Sequence, residues 1–184
     1  TWWEESMLAL PEKYRAIAPD QRGFGGADPA VKVNAQRGMN DLVEDAIALM
    51  DHLGHDKFHL VGNSLGGLVA WWMMAAQPQR LLSVTLPGTG SPYGFGATTD
   101  ELGTPVNDDY AGPGGGLPNR ALLMNISEGK RTADSPLPPS SVLRRLVWGP
   151  PFSPEREDTL LDATIPVHLG DSGLTGGHSS HAHR

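Results

Sequence analysis

The 184-residue sequence has no cysteine, which excludes disulfides and thiolate metal sites and leaves the redox compartment unread. It is also short of positive charge, with 14 Lys and Arg against 21 Asp and Glu for a formal net charge of −7. No basic run interrupts that acidic balance, so a nucleic-acid backbone is excluded as the expected partner. No stretch approaches the roughly 18 consecutive apolar residues that a membrane-spanning helix needs, and no signal peptide is visible. No membrane association is therefore expected, and a cytoplasmic location is the default. What is present suits one domain with a real core. The opening "TWWEESMLALPEKY" is already helix-like, so the native N-terminus is expected to lie upstream of Thr1.

Hydrophobic periodicity divides the chain into alternating elements. Trp2, Trp3, Met7, Leu8 and Leu10 form a helical stripe that Pro11 ends. Residues 14–18 ("YRAIA") read as a short buried strand, followed by the glycine-dense turn "DQRGFGGAD" at 20–28. Leu42, Val43, Ala46, Ile47, Met50 and Leu53 recur at i, i+3/i+4 with Gly54 just beyond, which predicts a helix over 39–53. "FHLVG" (58–62) reads as a central strand, 66–77 as a helix closed by Pro78, and "LLSVTL" (81–86) as the next strand. Helix and strand in alternation predict an α/β architecture, a mostly parallel sheet flanked by helices.

The composition changes at residue 87. Gly, Pro, Asp, Asn and Thr dominate 87–118, and two weaker helical patterns follow near 119–129 and 140–149. The expected organisation is a partial core at 1–86, an inserted helical and loop cap at 87–163, and a short return to the core with a tail at 164–184. That return would begin with a strand in "TIPVHLGD" (164–171). Tyr93, Phe95, Leu122, Met124, Leu146, Trp148 and Phe152 are the cap's candidates for an apolar pocket, with packing of the cap onto the core as the plainer reading for most of them.

Gly62-Asn63-Ser64-Leu65-Gly66 matches G-x-S-x-G between a strand-like and a helix-like run, the context in which that motif has a mechanism. A sharp turn there lifts a serine hydroxyl out at the carboxyl end of the sheet and demands small residues at 62 and 66. The helix N-terminus beyond it offers free N–H groups and a positive dipole to a developing oxyanion, Leu65 N–H first among them. The plain alternative is a serine that only caps the helix.

"YRAIAPDQRGFGGAD" and "HLVGNSLGGLVAW" together are similar to two segments of the α/β-hydrolase family, the strand with its Asp-x-Arg-Gly-x-Gly turn and the nucleophile elbow, over residues 1 to about 90. The resemblance implies a Ser-acid-His triad without a cofactor or a metal. Ser64 takes the nucleophile position. His178, in the late "GGHSSHAHR", resembles the general base, and Asp171, after "IPVHLG", stands nearest the position of the acid. A serine at the elbow separates the chain from the haloalkane dehalogenase and epoxide hydrolase branches, whose elbow carries aspartate. The family's early strands and its His-Gly oxyanion loop would precede Thr1, and seven positions between Asp171 and His178 are too few for the helix and strand the family places there. The chain is thus expected to be truncated at both ends, with doubtful activity of its own.

The implied function is hydrolysis of an ester, lactone or related acyl bond in a small-molecule substrate, with the oligomeric state left open. One alternative is a catalytically incomplete relic or ligand-binding protein of the same fold. Another is a carbon-carbon bond hydrolase, a branch in which asparagine also precedes the serine. The remaining histidines have simpler readings: His52 and His55 sit at a helix C-terminus, where a cation is welcome, His59 and His168 lie in strand-like runs, and His181 and His183 belong to a tail.

Overall fold

The computed structural model describes residues 2–92, 99–100, 102, 104, 120–131 and 138–164. In chain order its elements are α1 (Glu4–Leu8), a 3₁₀ turn (Ala35–Arg37), α2 (Asn40–His52), β1 (Phe58–Val61), α3 (Leu65–Ala76), a 3₁₀ turn (Pro78–Arg80), β2 (Leu81–Thr85), α4 (Arg120–Ser127), α5 (Pro139–Val142), a π turn (Leu143–Trp148) and α6 (Glu157–Thr164). They fall into two compact units, Val33–Gly116 and Thr1–Lys32 with Leu117–Arg184. The first is called here the elbow unit and the second the helical unit.

The elbow unit is a parallel β–α–β arrangement with α2 in front of it. β1 and β2 pair in parallel, Leu60 opposite Val84 and Val61 opposite Thr85, with an irregularity between Phe58 and His59 that skips one residue of β2. One side of the sheet brings Phe58, Leu60 and Leu81 against a core of Leu42 and Val43 from α2 and Val69 and Met73 from α3. Period-two alternation sends His59 and Val61 to the other side, where His59 Nδ1 and Ser83 Oγ lie 2.8 Å apart across the strands. α2 begins without a side-chain cap. Its first turn is anchored instead by the buried Asp41, which accepts from Asn34 N–H at 2.7 Å and pairs with Arg37. The Arg37 guanidinium is held above its ordinary range by the hydrogen bonds it donates to Glu44 and then by the charge of that carboxylate, with Asp41 adding to both effects. α2 is closed off two residues past its end by Gly54, whose φ of 75° permits the turn that places Gly54 N–H on Asp51 C=O at 3.0 Å. Arg80 then ties three segments together: its side chain donates to Asp51 Oδ1 (2.7 Å), His55 C=O (2.9 Å) and Asp56 C=O (2.5 Å), and lies 6.0 Å from the centre of the Phe58 ring.

Residues 14–18 depart from expectation. The described sheet has two strands, β1 and β2, and 14–18 are irregular, half-buried at Ala16 and Ile17 and exposed at the other three. Apolar residues make a strand only where a ladder partner takes up their backbone groups; the segment is instead entered through a turn in which Tyr14 N–H reaches Pro11 C=O at 2.9 Å.

The helical unit is built from short amphipathic pieces. Leu122 and Ile126 of α4 pack with Val142 of α5, and Leu143 and Leu161 are also buried. Trp2 and Trp148 sit 6.5 Å apart between ring centres. Ion pairs join Arg156 to Glu4 (2.9 Å), Arg144 to Glu157 (2.6 Å) and Arg131 to Asp162. α6 spans part of "REDTLLDAT", which carries no extended apolar stripe; its acidic first turn, Glu157 and Asp158, is the signal that marks a helix start. Thr164 closes that helix, and the rest of the strand expected at 164–171 lies outside the described residues. Among the described residues no helix is long and apolar enough to cross a membrane.

Candidate active site

The motif at 62–66 occupies the turn from β1 into α3. Ser64 has φ 51° and ψ −117° and is the only described non-glycine residue with positive φ. That combination lies outside even the left-handed helical basin and costs about 1–3 kcal/mol. It persists because backbone bonds lock both sides of the turn. Gly62 N–H continues the sheet onto Thr85 C=O (2.9 Å), Gly66 N–H returns to Asn63 C=O (2.8 Å), and Gly67 and Leu68 N–H both reach Ser64 C=O (2.9 and 3.3 Å). Ser64 occupies the N-cap position of α3, yet its side chain makes no capping hydrogen bond. The capping account of this serine therefore fails. The residue is half-buried at the head of a 12-residue helix, where Leu65 N–H belongs to the first turn that a helix cannot satisfy internally.

The space around the elbow explains one glycine and corrects another. A Cβ at Gly62 would come within 2.3 Å of Gly66 C=O oxygen, so residue 62 must be glycine. A Cβ at Gly66 would meet nothing within 4 Å, so the expected requirement at 66 does not hold. The tight position is one residue further on, where a Cβ at Gly67 would come within 1.9 Å of Thr89 Oγ1. Smallness is demanded where α3 passes under the segment that follows β2, a contact that the motif's own spacing does not report.

That segment is also tied to the elbow by Asn63, whose Nδ2 donates to Pro87 C=O at 2.8 Å. His178 and Asp171 lie outside the described residues, as do Tyr93 and Phe95 and the side chain of Leu146. Of the other expected pocket residues, Leu122 is buried in the helical core and Met124 is half exposed. Trp148 and Phe152 line a small hollow of about 190 Å³ with Trp2. A wider, open depression of about 600 Å³ on the elbow unit is lined by Trp71, Trp72, Met74 and Pro92. Among the described residues no cluster of His, Asp and Glu has the makeup of a metal site.

Comparison with known proteins bears on the family of the chain. The chain is 44% identical over 85 residues to a 2-hydroxy-6-oxo-6-phenylhexa-2,4-dienoate hydrolase of Burkholderia cepacia, covering 46% of this chain and 28% of that protein. It is 33% identical over 89 residues to 3-oxoadipate enol-lactonase 1 of Acinetobacter baylyi, covering 48% and 32%. It is 38% identical over 80 residues to epoxide hydrolase 2 of Siraitia grosvenorii, covering 43% and 25%. The matched part thus spans about a quarter to a third of these curated relatives. The crystal structure of a hydrolase from Pseudomonas aeruginosa PA01 superposes with a TM-score of 0.53 at 21% identity, over 90% of this chain and 54% of that one, a likeness of fold. A model of the alpha/beta hydrolase fold matches residues 1–112. That match takes in more than half of the chain, the elbow included, and the chain belongs to the α/β-hydrolase fold family.

Proposed function

We propose that this protein is a serine hydrolase that cleaves an ester, lactone or related acyl bond in a small molecule, with Ser64 as its nucleophile. The observation that carries the reading is the backbone of Ser64: a serine held at φ 51° with no capping bond spends conformational energy that a structural serine has no reason to spend. In the proposed reaction the Ser64 hydroxyl adds to the acyl carbon while a histidine removes its proton. The tetrahedral oxyanion accepts from Leu65 N–H, and collapse expels the alcohol as that histidine returns the proton. Water then repeats the sequence and releases the acid. Family resemblance nominates His178 as the base and Asp171 as the group that orients it, and no cofactor or metal enters the chemistry.

A second reading has its own support. Asn63 beside the serine and the 44% identity to a protein named as a dienoate hydrolase favour carbon-carbon bond hydrolysis of a diketone-like substrate through the same nucleophile.

The test is turnover of p-nitrophenyl acetate and butyrate by the protein, by Ser64→Ala and by His178→Ala. Turnover lost in both variants supports the serine and the assigned base. Turnover insensitive to Ser64→Ala sinks the reading and leaves a ligand-binding relative of the fold. Turnover lost in Ser64→Ala alone keeps the nucleophile and removes His178 from the mechanism.

A further inference from the structure

On the N-terminal side of Ser64 the last backbone rung of the sheet is Gly62 N–H on Thr85 C=O, and beyond it the backbone supplies no further rung. Successive donors of a parallel ladder lie two residues apart on one strand and bond to carbonyls two residues apart on the next. Gly62 N–H bonds to Thr85 C=O, so a ladder continued without a turn would place residue 64 N–H on the carbonyl of residue 87. The chain turns away at Ser64 instead. The Pro87 carbonyl nonetheless accepts a hydrogen bond, from Asn63 Nδ2 at 2.8 Å. The side-chain amide of the residue before the serine occupies the rung that the elbow vacates.

We propose that Asn63 is a positioning residue for Ser64: its carboxamide extends the β1–β2 ladder by one rung, through Pro87 C=O, and so holds the serine in its strained conformation. The proposal rests on Ser64 being the nucleophile. Two further features of the same segment fit this role. Gly88 has φ 55°, and a Cβ there would lie 3.3 Å from Asn63 Nδ2, so the chain after Pro87 bends in a way that leaves the amide its place. Thr89 then packs on Gly67 and Gly90 on Leu68, which seats the segment against α3. The segment after β2 is thereby held at three successive points, and Asn63 supplies the only one of these on the strand side of Ser64. Asparagine is suited chemically, because it offers an N–H donor on a short side chain. Aspartate has the same shape but would set a carboxylate against a carbonyl oxygen.

The experiment compares Asn63→Ala and Asn63→Asp with the parent protein in two measurements, after thermal melting has shown that each variant folds. The first is hydrogen exchange of the backbone amides of residues 62–68, followed by mass spectrometry. Both variants should exchange about tenfold faster there, with amides of α2 unchanged. The second is hydrolysis of p-nitrophenyl butyrate, in which both variants should lose about tenfold in kcat with KM unchanged, since the nucleophile and not the substrate is misplaced. Parent-like exchange in both variants would overturn the proposal, as would an Asn63→Asp protein that behaves like the parent while Asn63→Ala does not, because volume rather than the donor would then matter. A change in KM alone would also overturn it, making Asn63 a substrate contact. If the parent itself does not turn over the ester, the serine reading falls by that result, and the exchange of residues 62–68 decides whether Asn63 holds the elbow.

Discussion

In the elbow unit the buried apolar residues Leu42, Val43, Leu68, Val69, Ala70 and Met73 keep 0–4% of their surface, whereas those of the helical unit, Leu122, Ile126, Val142, Leu143 and Leu161, keep 4–8%. The first core is closed by one 12-residue and one 13-residue helix over paired strands. The second is assembled from helices of four to eight residues, each too short to be stable by itself. Backbone strain follows the same division. Ser64, the one described non-glycine residue forced to positive φ, sits at the head of the helix that carries the most deeply buried residues, Leu68, Ala70 and Met73, and where bonds fix the chain on both sides. A strained residue survives only where its surroundings leave it no alternative, so a nucleophile of this kind belongs at the head of α3 and would relax on a one-turn helix.

The most severe way to test that division is at the strained residue itself. Ser64→Ala should lower ester turnover by about 10³ or more, since only residual catalysis survives loss of a triad member, while the melting temperature stays near that of the parent. Turnover and melting measured on one preparation check both halves of this expectation.

Next in size is a pair of glycines that the motif treats alike and the structure does not. Gly62→Ala drives a methyl into Gly66 C=O and should cost more than about 3 kcal/mol or prevent folding of the elbow unit. Gly66→Ala meets nothing and should stabilise α3 by about 0.5–1 kcal/mol, the ordinary helix preference of alanine over glycine. Urea titration of both variants separates the outcomes; equal destabilisation would mean that the elbow is packed differently.

Truncating one core residue in each unit compares their packing directly. Met73→Ala, at 0% exposure, should cost about 3–4 kcal/mol, and Leu122→Ala, at 6% exposure, about 2–3 kcal/mol. The reverse order in denaturant unfolding would remove the contrast between the two cores.

The smallest effect is expected at the surface of the helical unit. The hydrogen bond with Glu157, and then the charge of that carboxylate, hold the Arg144 guanidinium above its ordinary value, so it stays charged throughout the working pH range. The pair is nevertheless solvent-screened, and Arg144→Ala should leave the melting temperature unchanged within error at any pH from about 5 to 9.

Much of the elbow unit was legible in the residues because its signals are local. Periodicity marked α2 and α3 to within one or two residues, and apolar runs marked β1 and β2. The glycine-flanked serine between a strand and a helix marked the turn. Residues 14–18 were misread for a physical reason: a strand is a relation between two segments, and an apolar run does not carry its partner with it. α6 is not legible from periodicity, because apolar Leu160 and Leu161 are adjacent and form no extended stripe. Asn63, legible only as the neighbour of a serine, acquired a structural task once Pro87 C=O was found 2.8 Å away.

By itself the sequence determined the order of elements from α2 to β2, the parallel β–α–β path they follow and the position of Ser64 at its turn, since periodicity, turn chemistry and steric allowance act over a few neighbouring residues. Only the tertiary structure decided that Ser64 is strained and caps nothing, that smallness is required at 62 and 67 but not at 66, and that Asn63 reaches Pro87, just past β2. Each of these depends on atoms up to 24 residues away along the chain, and folding brings such atoms together through packing and hydrogen bonding that no local pattern encodes.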